Sequence, residues 1–142
     1  MGMSRTGRTQ RWFEFFPVEE KLRVESPSAP LLVDVGGGLG HDLIALRQHH
    51  PNLPGKLILQ DTPVVIDSIQ EPLPGDIQAM KHDFFASQPV KDAKAYYLGR
   101  VLHDWPDKQA HVILSNIREA MGPGSILLIN ESILAETKVP LY

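Results

Sequence analysis

Residues 31–40 read Leu-Leu-Val-Asp-Val-Gly-Gly-Gly-Leu-Gly, and no other segment limits the fold as tightly. An apolar run carrying one acid, Asp34, breaks into a glycine cluster. That pattern predicts a buried parallel strand feeding a tight turn and then the N-terminus of a helix. Glycines admit positive φ and let backbone N–H groups approach a ligand closely. A nucleotide-like cofactor belongs at such a turn.

The pattern after this turn is regular. Strand one, Leu31–Val35, is followed by a helix from Leu39 to His49 with Leu43, Ile44 and Leu46 as its apolar stripe. Strand two is Lys56–Gln60, and Pro63 opens a short helix through Ile69. Strand three is Ile77–Lys81, followed by a loop from His82 to Val90. Strand four is Ala93–Leu98. Pro106 starts an amphipathic helix to Ala120, stopped by Gly122-Pro123-Gly124. Strand five is Ser125–Asn130. Strands that alternate with helices predict an α/β fold with a mainly parallel, Rossmann-like sheet of about five strands. On such sheets ligands bind at the carboxyl ends of the strands. Asp61, Asp83 and Glu131 follow strands two, three and five and so share that edge.

Upstream, residues 1–10 read as a disordered tail. Trp12, Phe13, Phe15 and Phe16 form an aromatic cluster that needs a surface to bury against, on this domain or on a neighbour. Pro17 stands at a plausible first helical position, with Val18 to Val24 following.

Composition excludes several classes. The net charge of −3 and the lack of a basic stripe argue against a nucleic-acid partner. No run reaches the roughly 18 apolar residues of a membrane span, and the N-terminus lacks a signal-peptide core. With no cysteine there is neither a disulfide nor a thiolate metal site, which fits an intracellular, cytoplasmic protein. The six histidines show no HxxxH or HExxH spacing, so no metal is expected.

The glycine loop fails the dinucleotide fingerprint GxGxxG, because His41 stands at the sixth position from Gly36. It fits the shorter GxGxG at Gly36, Gly38 and Gly40, a spacing suited to S-adenosylmethionine (SAM). The plain alternative is a tight strand-to-helix turn. Asp61 lies about 20 residues past the loop, where an acid accepts ribose hydroxyls; it also suits the N-cap of the next helix. After strand four comes Val101-Leu-His-Asp-Trp-Pro106. His103 there is a candidate general base. Asp104 orients it or caps the helix at Pro106. Trp105 offers a flat face to adenine or to a sulfonium. The plain alternative makes His103 a structural histidine and Trp105 core.

DVGGGLG, LILQDTP, HDFF with QPV, YYLGRVLHDW and LLINESIL, in that order, resemble the catalytic domain of SAM-dependent O-methyltransferases. The similarity is to the fungal secondary-metabolism group related to plant caffeate-type enzymes, and it runs from about Phe15 to Leu134. The resemblance implies SAM as cofactor and a small aromatic substrate with a phenolic hydroxyl. It implies a cofactor-binding set of Asp34, Gly36, Gly37, Gly38, Asp61, Asp83, Phe84 and Trp105. It makes His103 the base and Glu131 the acid that positions it, with Asp104 completing the catalytic set.

The sequence departs from the family in three ways. Residues 1–30 correspond only to the junction with a helical dimerisation domain, and residues 31–142 to a partial methyltransferase domain. The family sheet continues past strand five with two more strands. Gly99 stands where the family usually carries a basic residue near the cofactor, with Arg100 next door. The second departure predicts an unpaired strand-five edge and, through it, a homo-oligomer or pairing with another chain. Two further functions therefore stand beside the enzyme. One is a weakly active or inactive SAM-binding or partner-binding module. The other is a scaffold serving another reaction on a natural product.

Overall fold

The computed structural model of the chain describes Phe13 and residues 16–131. The tail 1–10, Trp12, Phe15 and the segment after Glu131 lie outside the described residues. Five strands form one sheet: β1 (Pro30–Val35), β2 (Lys56–Asp61), β3 (Gln78–Lys81), β4 (Ala95–Gly99) and β5 (Ile126–Asn130). Their order is β3-β2-β1-β4-β5, and every pairing is parallel. β1 is central and buried from Leu31 to Val35, as its apolar run requires. Between β1 and β4 the strand order reverses, and ligand crevices open at the carboxyl ends of such a pair.

The two faces of the sheet are covered separately. Leu32, Leu57, Leu59, Ala95 and Tyr97 share one core with Leu43 and Leu46 of α2 (His41–His49). Val18 and Leu22, in and just after α1 (Val18–Lys21), join that core. Val33, Val35, Ile58, Tyr96 and Leu98 face the other way, against Ile113, Ile117 and Ala120 of α4 (Asp107–Ala120). Alternation along each strand thus feeds two layers.

Several element limits differ from the sequence reading. The helix after the glycines begins at His41 rather than Leu39, because Gly40 sits at φ 87°, a left-handed conformation no helix continues. α3 (Pro63–Asp67) stops short of Ile69, where the Ser68 hydroxyl donates to the Val65 carbonyl. α1 is a single turn: Pro17 precedes it as N-cap, and Leu22 leaves helical geometry to enter the core fully buried. Phe13 settles its own share of the aromatic cluster. It is buried in the first core and meets His49 edge-on at 5.1 Å.

Candidate functional site

The glycine loop is held by hydrogen bonds within the protein. The N–H groups of Gly36 and Gly37 donate to the Gln60 carbonyl at 2.9 and 3.0 Å. Gly38 N–H donates to Asp61 Oδ2 at 2.8 Å. Asp61 Oδ1 accepts from Thr62 N–H at 2.7 Å. These amides tie the loop to β2, as a tight strand-to-helix turn does. Gly37 is obligatory for a packing reason: a Cβ there would lie 2.5 Å from the Asp34 carboxyl and 2.6 Å from Leu59. Thr62, not Asp61, caps α3, its hydroxyl accepting from Val65 N–H.

Two cavities flank the loop at the carboxyl ends of the strands. The first, of about 260 Å³, is lined by Gly36, Asp61, Asp83, Phe84, Asp104 and Trp105 among others. Its wall is aromatic. Trp105 meets Phe84 at 6.0 Å and Phe85 at 4.8 Å, both edge-to-face. Phe84 also closes over Gly36, where a Cβ would come within 3.1 Å of its ring. α4 fixes this wall through Asn116, whose side chain donates to the Phe84 carbonyl at 3.2 Å. Asp83 turns the loop by accepting from Phe85 N–H at 2.9 Å. Beneath it, Gln60 and Gln88 exchange two amide hydrogen bonds of 2.7 and 2.9 Å, both side chains buried. Burial also lowers the His82 pKa, against the opposing pull of Asp83.

The second cavity, of about 330 Å³, is lined by Asp34, Gly36, Gly37, Gly38, His41, Asp42 and Arg100, with Leu39 and Gly99. Asp34 is 2% exposed. Burial pushes its carboxyl up to about 8; the charges of Asp42 and Asp61 add to this, and Arg100 opposes it. Gly99 has a steric explanation. A Cβ there would meet the Tyr97 ring at 2.9 Å, and that ring is pinned by its hydroxyl. The hydroxyl donates to Asp42 at 2.8 Å and accepts from Asn130 at 3.1 Å.

Beside the first cavity a 3₁₀ turn, Leu102–Asp104, carries His103. Its Nδ1 lies 2.6 Å from Glu131 Oε1, and its Nε2 lies 3.1 Å from Asp104 Oδ1. Glu131 is held at both oxygens, since Oε2 accepts from Leu102 N–H at 3.0 Å, and its side chain is 6% exposed. The Asp104 side chain is 67% exposed.

The structure therefore gathers Gly36, Asp61, Asp83, Phe84, Asp104 and Trp105 on one cavity and Asp34, Gly36, Gly37 and Gly38 on the next. His103 and Glu131 stand together beside them without lining either. Sequence reasoning missed Tyr97, Asp42, Asn116 and the Gln60–Gln88 pair. Nothing local marks them, because each acts on a residue at least 28 positions away. Among the described residues no cluster of His, Asp or Glu has metal-site geometry, and no helix is long and apolar enough to cross a membrane.

The family model described as the O-methyltransferase domain matches residues 23–140. Demethylsterigmatocystin 6-O-methyltransferase of Aspergillus flavus is 47% identical over 134 residues, covering 94% of this chain and 34% of that protein. The structure of LepI in complex with SAM superposes with a TM-score of 0.82 at 42% identity, over 95% of this chain and 36% of LepI. A solved chain described as a pericyclic reaction enzyme gives the same score and identity. The chain spans about a third of the length of these relatives.

Proposed function

The chain belongs to the O-methyltransferase domain family, and from that premise we propose that it binds SAM and directs methyl transfer to a hydroxyl of a small aromatic compound. The residues present fit this cofactor. Asp61 is fixed at the edge of a cavity with an aromatic wall, which suits an adenosine. A buried acid and two glycines with positive φ border the second cavity, which suits the ammonium of a zwitterionic amino-acid end. When bound, SAM supplies an electrophilic methyl group on a sulfonium.

The single observation that carries the catalytic reading is the short His103–Glu131 contact beside that cavity. Glu131 accepts a hydrogen bond from Nδ1–H and fixes the ring, which leaves Nε2 to accept a proton from the hydroxyl. Asp104 faces Nε2 at 3.1 Å, and being exposed it is the group that turns aside for the acceptor. Aligning the oxygen with the methyl group does most of the remaining work.

Calorimetry with SAM, and turnover on a panel of phenols, test this. The expected result is SAM binding, with turnover lowered roughly 10²–10⁴-fold by His103→Ala while SAM affinity is kept. A chain that ignores SAM, or a variant as active as its parent, overturns it.

A second reading is favoured by the open edge of β5, which pairs only with β4 among the described residues. In that reading the chain is a cytoplasmic SAM-binding module that pairs with a second copy or another chain along β5. SAM binding without turnover on any phenol supports it. A third, in which the scaffold serves a non-methylating reaction, is weakened by the intact His103–Glu131 pair.

A further inference from the structure

We infer that Arg100 holds the α-carboxylate at the amino-acid end of the cofactor, at the junction of the two cavities. The inference rests on the SAM reading of the site and adds a residue to it.

Gly36 and Arg100 are the two residues common to both linings. Among the described residues of both linings Arg100 is the sole lysine or arginine, against the acids Asp34, Asp42, Asp61, Asp83 and Asp104. An amino acid brings an ammonium and a carboxylate together. The acids of the second cavity suit the ammonium. The carboxylate has one strong cationic partner available there, and a guanidinium matches it with two parallel N–H donors.

Position 99 cannot supply that cation, because the Tyr97 ring fills the space a side chain would need. The next residue does so from an unusual backbone. Arg100 sits at φ 56°, a region that side-chain-bearing residues rarely adopt, and its N–H is fixed on the Asn130 carbonyl at 2.7 Å. Its guanidinium is only loosely engaged. It lies 3.9 Å from Asp42 Oδ2, the oxygen that already accepts the Tyr97 hydroxyl at 2.8 Å, and its side chain is half exposed. A ligand carboxylate can therefore recruit it without breaking a close ion pair.

The test compares S-adenosylhomocysteine with 5′-methylthioadenosine, which keeps the adenosine and the thioether but has no amino-acid end. Binding of each is measured by calorimetry on the full chain, on Arg100→Gln and on Arg100→Gly. The glycine variant accommodates the backbone conformation, so it keeps the comparison meaningful if the glutamine disturbs the bend. Both variants are expected to weaken S-adenosylhomocysteine roughly tenfold to a hundredfold and to leave 5′-methylthioadenosine within about twofold. Equal weakening of both nucleosides, or no weakening of either, overturns the assignment alone. Failure of the unaltered chain to bind either nucleoside overturns the SAM reading and this assignment with it.

Discussion

Asp34 shows how much a single buried acid does. Its carboxyl titrates at about 8 in the folded chain against an ordinary 3.8. Between about pH 4 and pH 8 the folded chain thus holds a proton that the unfolded chain has released. The stabilisation from this group is complete below about pH 4 and is lost as pH rises through about 8. Urea unfolding of the parent at about pH 5 and about pH 9 is expected to show a larger loss of stability than Asp34→Asn, which cannot ionise. Equal losses in the two proteins would contradict this. Glu131 allows a second test at the same scale. In Glu131→Gln an amide N–H can face Nδ1, which drives the proton to Nε2 and disables the base. Turnover is expected to fall roughly a hundredfold with SAM affinity unchanged in a binding titration. His103, Asp104 and Glu131 were legible because each follows the carboxyl end of a strand. Tyr97 was not legible as anything but core, since its hydroxyl partner Asp42 lies 55 residues earlier on another element.

The Gln60–Gln88 pair joins β2 to the loop of residues 82–90, which carries Asp83 and Phe84. Removing one partner leaves a buried amide unsatisfied. Gln60→Leu is expected to destabilise by about 1–3 kcal/mol, and the double variant Gln60→Leu with Gln88→Leu by less than the sum of the singles. Chemical denaturation of the four proteins in the cycle measures the coupling, and strict additivity would argue against a shared bond. Periodicity placed β1, β2, β4, β5 and the long α4, because an apolar stripe or run marks each; β3, exposed at three of its four residues, carries no such mark. Periodicity misplaced the ends of α1, α2 and α3, where Leu22, Gly40 and Ser68 stop or delay a helix through backbone geometry and caps. It could not place a bond between two glutamines, which on their own read as solvated surface.

The described residues form a parallel sheet with the candidate site at one rim, and the doubly covered sheet was readable from the alternation of strands and helices. Among the described residues β5 pairs only with β4. If it pairs with another copy, sedimentation is expected to show a concentration-dependent dimer, and hydrogen exchange to protect β5 amides in the dimer more than in the monomer. A species monomeric at all concentrations, or equal exchange in both, contradicts pairing. Asp61 has a consequence for descent. Its two oxygens already brace the turn after β1 and the entry to α3, so this acid has a structural role whatever the chain binds. A descendant that had abandoned its nucleoside would still be under pressure to keep it. Finding an aspartate here therefore says less about ligand binding in such a lineage than losing one would.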